Sequence, residues 1–128
     1  MPTILTHSVV AGTAAYSFSA AKESLKFWIL SITCSSLQDL DVMGYRWLYI
    51  PYDDFLGHRG FFHSPFFAAI LGLLIACTFY RKEGLFSKQW WKYFLYFFAL
   101  TASHGILDAF TNGGLGIALL SPFTNSRY

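Results

Sequence analysis

The sparse distribution of charged residues is the feature that most constrains this chain of 128 residues. Four stretches contain no Asp, Glu, Lys or Arg, and they are residues 1–21, 27–38, 60–80 and 93–107. A helix that spans a bilayer needs roughly 20 apolar residues. Gly60–Tyr80 and Trp90–Phe110 have that length. The two earlier stretches are shorter and contain Ser and Thr, so they are tilted spans, helices beneath the others, or core helices of a soluble bundle.

The composition favours a membrane protein over a soluble one. Hydrophobic residues make up 55% of the chain and charged residues 12%, whereas soluble domains carry about 25% charged residues. A small chain of this kind has too few polar side chains to cover its surface. The same figures exclude a disordered tail, a collagen-like chain and a charge-rich coiled coil, and a net charge of +2 is too weak for nucleic-acid binding. We expect one membrane-embedded domain over residues 1–128.

The pattern predicts an all-α bundle of four helices. They cover residues 8–21, 25–38, 64–80 and 90–111, and a long loop covers 39–63. Six of the nine Lys and Arg residues lie in the two short connections: Lys22, Lys26, Arg81, Lys82, Lys88 and Lys92. The positive-inside rule places these connections in the cytoplasm. The loop 39–63 and the opposite helix ends are then on the non-cytoplasmic side of the membrane.

All four histidines and all five aspartates fall at or near that opposite side. On the last helix, His104 lies twelve residues beyond Lys92, about 18 Å along the axis, and Asp108 is one further turn away. The i,i+4 spacing puts His104 and Asp108 on one helix face. An ionisable pair in an apolar helix is costly without compensation. The pair predicts either a metal site or a His–Asp hydrogen bond that ties helices together.

A second polar cluster runs from His58 to Ser64. The two histidines, His58 and His63, do not share a helix face, but a loop that leads into a helix could turn both inward. Ser64 is a suitable N-cap and Pro65 a suitable first helical residue. Arg59 carries a fork-shaped donor for phosphate or carboxylate, and an equally good alternative is a salt bridge to an aspartate of the same loop.

Two further segments add potential ligands. Asp39 and Asp41 would face the same way in an extended stretch, where two like charges require a cation; the alternative is a solvated helix end. His7 opens the first helix. Four segments then bring His or Asp to one end of the bundle, which is how bundles commonly build metal sites. Nitrogen and oxygen ligands without thiolate suit zinc first, with manganese or iron(II) as alternatives.

These motifs resemble the YdjM-type inner-membrane family, which is described as a family of metal-dependent hydrolases. The matching elements are Thr6-His7, Gln38-Asp39-Leu40-Asp41, His58-Arg59 with His63-Ser64, and His104 with Asp108, Thr111 and Gly114. This chain departs from the family pattern at Gln38, where Pro is usual, and at Phe62, where Thr is common. Relatives continue beyond the Pro-Phe segment, so we expect a short or C-terminally truncated member.

The first functional hypothesis is a membrane-bound metal-dependent hydrolase that acts through metal-activated water. The predicted metal ligands are His7, Asp39, His58, His63, His104 and Asp108. Asp41 is the predicted general base or an additional ligand, and Arg59 would hold an anionic substrate. A site at headgroup depth, among membrane lipids, favours a lipid or another lipid-linked phosphoester as the substrate.

Two other functions fit the same residues. In a non-catalytic membrane protein, the His/Asp pairs would only hold helices together. In a cation or proton transporter, intramembrane His and Asp would line an ion path. The transporter ranks lowest, because the potential ligands cluster at one side instead of threading across. Bound metal distinguishes the hydrolase from the structural alternative.

Overall fold

A computed structural model describes residues 4–19, 24–111 and 114–128. Within these ranges every regular element is a helix and no strand is present, which confirms the predicted all-α class. The five α-helices are α1 (Ile4–Ser19), α2 (Leu25–Ser36), α3 (Asp41–Trp47), α4 (Pro65–Phe79) and α5 (Lys88–Ala109). Three short 3-10 helices cover Gln38–Leu40, Phe61–His63 and Arg81–Glu83.

Serine caps fix the starts of three helices. The side chains of Ser24, Ser64 and Ser87 each accept a hydrogen bond from the backbone N–H three residues later. Such a cap satisfies one of the N–H groups that a helix leaves without an internal partner. Ser64 is followed by Pro65 at the first helical position, as the sequence predicts.

The helices pack as two pairs joined at a common core. α4 lies against α5, α1 lies against α2, and α2 also contacts α5. Phe27, Phe97 and Leu100 are buried at the centre, together with Ala11 of α1. Gly72 allows α4 to approach α5 closely, because a Cβ atom there would lie 3.1 Å from the backbone nitrogen of Phe98. Burial of these apolar faces holds the bundle together.

The basic connections gather at one end of this bundle. Lys26 Nζ donates to the carbonyl oxygen of Phe79 at 3.3 Å, which joins the start of α2 to the end of α4. Lys92 Nζ lies 4.5 Å from the ring centroid of Phe18, so the start of α5 meets the end of α1. α1 and α4 therefore run toward this end of the bundle and α2 and α5 run away from it, as the sequence predicts. Lys22 lies outside the described residues.

One expectation about helix bounds needs correction. The segment 39–63 is not simply a loop, since it contains α3 and the 3-10 helix that leads into α4. The predicted helix 64–80 agrees with α4, and the charge-free residues before it belong to the loop, which folds tightly at Gly60, where a Cβ atom would lie 2.4 Å from the carbonyl oxygen of Phe55. None of the helices in the described ranges combines the length and apolar character required to cross a membrane.

Candidate metal centre

Four side chains converge at the bundle end opposite the basic connections. Asp39 comes from the 3-10 turn after α2, His63 from the 3-10 turn before α4, and His104 and Asp108 from α5. One potential ligand atom from each lies within 4.8 Å of those of the other three. His63, His104 and Asp108 are buried and Asp39 is partly exposed. Residues far apart in the sequence thus form one compact group of nitrogen and oxygen donors.

The imidazole of His104 is oriented by the backbone of α2. Its Nδ1 lies 2.7 Å from the carbonyl oxygen of Ser35, which can only accept, so Nδ1 carries the hydrogen and donates it. In the neutral imidazole the lone pair is then on the other ring nitrogen, Nε2. It lies 3.3 Å from Asp39 Oδ1 and 4.0 Å from Asp108 Oδ2. Metal-ligating histidines are commonly held by such a bond to the ring nitrogen away from the metal.

Asp41 orients the second histidine of the group. Its Oδ2 lies 3.2 Å from Nδ1 of His63 and accepts a 3.0 Å hydrogen bond from the backbone N–H of Arg59. Its Oδ1 lies 2.5 Å from Nδ1 of His58. On its other side, His63 Nε2 is 3.7 Å from Asp108 Oδ2. This is the carboxylate–histidine arrangement that fixes the ring orientation of metal ligands.

Asp41 is held in its ionised form. Burial of the carboxyl opposes ionisation, but the hydrogen bond from His58 and the nearby imidazole of His63 outweigh it and lower the pKa of Asp41 to about 2. The carboxylate is therefore an acceptor for both imidazoles at neutral pH. Both of its oxygens are engaged, and its side chain is fully buried.

His7 adjoins the group from α1. Its Nε2 lies 3.4 Å from Asp108 Oδ1, and its ring stacks on that of His104 with centroids 3.7 Å apart. Its carbonyl oxygen accepts a 2.7 Å hydrogen bond from the hydroxyl of Ser35. The start of α1 is thus fixed to both α2 and α5 at the position of the site.

Several buried polar atoms of this cluster lack a hydrogen-bond partner among the residues that the structure describes. They are Nε2 of His7, Nδ1 and Nε2 of His63, Nε2 of His104 and Oδ1 of Asp108. A buried polar atom without a partner costs about 1–3 kcal/mol, and proteins rarely leave several together. Imidazole nitrogens and carboxylate oxygens are ligands for zinc and similar divalent cations. The residues therefore fit a metal ion by both geometry and chemistry.

Arg59 lies beside this group with a buried guanidinium. Its Nε is 3.5 Å from Asp108 Oδ2, and its Nη2 donates to the hydroxyl of Thr111 at 3.1 Å. That hydroxyl donates in turn to the backbone carbonyl of Asp108 at 2.8 Å. Arg59 adopts a positive φ of 61°, which is uncommon outside glycine, and its side chain is buried. Its observed ion pair with α5 differs from the pairing with a loop aspartate that the sequence suggested.

The structure distributes the six predicted ligands over three positions. Four of them form the compact group described above. His7 adjoins that group through Asp108, whereas His58 contacts Asp41. Asp39 and Asp41 do not face the same way, because the segment is helical and not extended: Asp39 faces His104 and Asp41 faces the histidines of the loop.

Sequence reasoning missed two residues that support the site. Arg127 donates to the carbonyl oxygens of His58 at 3.0 Å and Tyr52 at 2.7 Å, and so ties the C-terminal segment to the loop. No local signal identifies this long-range contact. Gly105 allows α5 to approach His63, since a Cβ atom there would lie 2.3 Å from the His63 carbonyl oxygen. A glycine inside a helix, next to His104, was an available signal.

Comparison with known proteins gives two findings. The family model described as "YdjM inner membrane protein" matches residues 1–128. The inner membrane protein YbcI of Escherichia coli (strain K12) is 30% identical over 128 residues, a match that covers the whole chain and 72% of that protein. No solved structure matches the chain.

Proposed function

The chain belongs to the YdjM family of inner membrane proteins, and from this premise we propose that it is a metal-dependent hydrolase of membrane-derived phosphoesters. The observation that carries the proposal is the convergence of buried, unpartnered nitrogen and oxygen atoms at one end of the bundle. A purely structural His/Asp cluster would pair these atoms with one another. Here the histidine nitrogens lie 3.3–4.0 Å from carboxylate oxygens without hydrogen-bond geometry, as the ligands of one ion do.

Asp39, His63, His104 and Asp108 hold the metal in this proposal, and His7 is a further ligand or supports Asp108. Two carboxylates offset the charge of a divalent cation, so burial of the ion leaves little net charge. Zinc is the first candidate, with manganese or iron(II) as alternatives. When bound, such an ion polarises a phosphoryl oxygen and lowers the pKa of water toward 7.

Asp41 and His58 form the pair proposed to move the proton. Both oxygens of Asp41 already accept hydrogen bonds, so Asp41 is better suited to orient a base than to be one. Its contact with Nδ1 of His58 leaves Nε2 of His58 as the acceptor. The side chain of His58 is 13% exposed, whereas that of Asp41 is fully buried. In this proposal His58, and not Asp41, is the general base that accepts a proton from the attacking water.

Arg59 is proposed to hold the anionic substrate. Guanidinium groups bind phosphate oxygens in a fork geometry, and Arg59 is fixed next to Asp108 by Thr111. The interaction with Asp108 also keeps a positive charge close to the ligand carboxylates. Loss of Arg59 should therefore weaken substrate binding more than metal binding.

The membrane context favours a lipid or lipid-linked phosphoester. The family is one of inner membrane proteins. We propose a multi-pass arrangement in which Lys26, Arg81 and Lys92 face the cytoplasm. The metal centre then faces the other side, because it lies at the opposite end of the bundle from these residues. Substrates at that depth are lipid headgroups.

The test is the metal content of detergent-purified protein, measured by elemental analysis, with hydrolysis of bis(p-nitrophenyl) phosphate and phosphatidic acid in mixed micelles. The variants are wild type, the double variant His104→Ala with Asp108→Ala, and Thr101→Val. Thr101 is a matched control because it is buried on α5 one turn before His104. We expect one or two metal ions per chain and metal-dependent hydrolysis in wild type and Thr101→Val. Absence of metal from all three would leave the structural alternative, in which the double variant only loses stability.

A further inference from the structure

We infer that a cavity next to the metal centre binds one acyl chain of a membrane glycerolipid. The cavity has a volume of about 550 Å³ and lies between the end of α2, α3, the loop and the start of α4. This volume falls in the range of small-molecule sites. The inference deepens the proposed function, on which it rests for the position of the headgroup, and it specifies the substrate class as a glycerolipid with at least one long chain.

The walls of this cavity favour a hydrocarbon ligand over a polar one. They include Leu37, Leu71, Phe62 and Phe67, and every lining residue except Asp41 is apolar. Asp41 offers little to a polar ligand, because its two oxygens already contact His58, His63 and the backbone of Arg59. A sugar, nucleotide or peptide would lose its hydrogen bonds to water on entering and gain none. An acyl chain has no hydrogen bonds to lose, and it makes van der Waals contacts with the apolar walls.

The mouth of the cavity suits entry from a bilayer. Leu40, Leu48 and Leu56 line the cavity and are also exposed, Leu48 to 72%. The adjacent end of α3 exposes Trp47 to 69% and Tyr49 to 87%. Trp and Tyr prefer the membrane–water interface, where an apolar ring and a polar group are both satisfied. A lipid tail can therefore enter from the bilayer without crossing water.

Asp41 lies between the cavity and the histidines of the proposed active site. It forms part of the cavity wall, and its carboxylate contacts Nδ1 of both His58 and His63. The carboxyl end of an acyl chain that fills the cavity therefore lies beside the residues proposed to bind metal and to move the proton. The ester or phosphate of the same lipid then lies at the metal centre. Binding of the tail would position the scissile bond.

Gly44 offers a way to fill the cavity without disturbing the site. It lines the cavity from α3, and a Cβ atom there would meet only the Cδ1 atom of Ile50, at 3.3 Å. Gly44→Leu therefore places a side chain in the cavity, at a helix position where leucine is favoured over glycine. Gly12→Leu is the matched control, since a Cβ at Gly12 would have no heavy atom of the described residues within 4 Å apart from its chain neighbours and the backbone of its own helix. Leu48→Lys is a second variant that puts a charge at the exposed mouth.

The experiment uses the full chain in nanodiscs of phosphatidylethanolamine and phosphatidylglycerol, with a trace of phosphatidylglycerol that carries a diazirine in one acyl chain. After illumination, labelled peptides are mapped by mass spectrometry, and zinc content is measured in the same samples. We expect labelling concentrated at Phe62, Phe67 and Leu71 in wild type and Gly12→Leu. Gly44→Leu and Leu48→Lys should reduce that labelling several-fold and retain zinc.

Even labelling over all helices, unchanged in the Gly44→Leu and Leu48→Lys variants, would overturn the acyl-chain site. If Gly44→Leu does not fold, Leu48→Lys alone decides, because Leu48 is mostly exposed and tolerates substitution. The two proposals fail separately. Zinc binding without concentrated labelling removes the lipid site and keeps the metal centre. Concentrated labelling without zinc removes the hydrolase and keeps the lipid site.

Discussion

Replacement of Asp41 by Asn is the sharpest perturbation of the proposed centre, because it removes one charge and leaves the shape of the side chain. Asp41 accepts hydrogen bonds from Nδ1 of His58 and the backbone N–H of Arg59, and Nδ1 of His63 lies 3.2 Å from its Oδ2. An amide has one oxygen and a donating NH₂ group, so the histidine or backbone N–H that faces the NH₂ group loses its acceptor. Loss of such support for one ligand typically lowers metal affinity about 10–100-fold, or about 1.4–2.7 kcal/mol.

The same substitution changes the stability of the metal-free protein. The carboxyl pKa falls from 3.8 to about 2 on folding, and each pKa unit corresponds to about 1.4 kcal/mol, so ionised Asp41 contributes about 2 kcal/mol at neutral pH. A lowered pKa in the folded state means that this stability is complete above pH 4. It is lost as pH falls from about 4 to about 2. The Asp41→Asn variant lacks this contribution.

Zinc affinity is measured by competition with a fluorescent chelator, and unfolding free energy by urea titration after chelation. Asp53→Asn is the matched control, because it is the same substitution at an exposed position of the loop that follows α3. We expect the control to match wild type in both measurements. Equal zinc affinity in Asp41→Asn and wild type would refute the assignment of Asp41 as the residue that orients His63.

Three further outcomes are expected. Gly105→Ala should lower the free energy of unfolding in urea titration by about 1–3 kcal/mol and reduce the metal content, because the new Cβ would lie 2.3 Å from the His63 carbonyl oxygen. Gly12→Ala, where a Cβ meets open space, should change neither quantity. Arg127→Ala should speed hydrogen exchange in the loop that contains Tyr52 and His58, since it removes the hydrogen bonds to their carbonyls, and unchanged exchange would contradict this role. Zinc at 100 times its Kd should add about 2.7 kcal/mol to the unfolding free energy, seen as a rise in Tm that chelation reverses and that the double variant lacks.

The sequence predicted the parts of the site that depend on local spacing. The i,i+4 spacing of His104 and Asp108 places both on one face of α5, and both reach the cluster. The Ser64-Pro65 pair predicted the start of α4, and a capping hydroxyl does begin the helix there. These signals succeed because helix periodicity and capping involve residues within one or two turns.

The sequence could not predict the parts that depend on packing between distant segments. Asp39 and Asp41 are two residues apart, and only the helical path of their segment decides that one faces His104 and the other His63. The separation of His58 from the ligand group follows from its contact with Asp41, which no spacing encodes. Arg127 joins the loop across almost 70 residues of chain. Such contacts follow from tertiary structure, and local propensity does not specify them.

The central claim is that the His/Asp group at the end of the bundle is a metal centre. X-ray absorption spectroscopy at the zinc edge tests it most directly, on zinc-loaded wild type and on the double variant His104→Ala with Asp108→Ala. We predict nitrogen and oxygen ligands at about 2.0–2.2 Å with imidazole scattering in wild type, and loss of that signal in the double variant. A shell of sulfur at about 2.3 Å, or a spectrum that is the same in both proteins, would contradict the assignment.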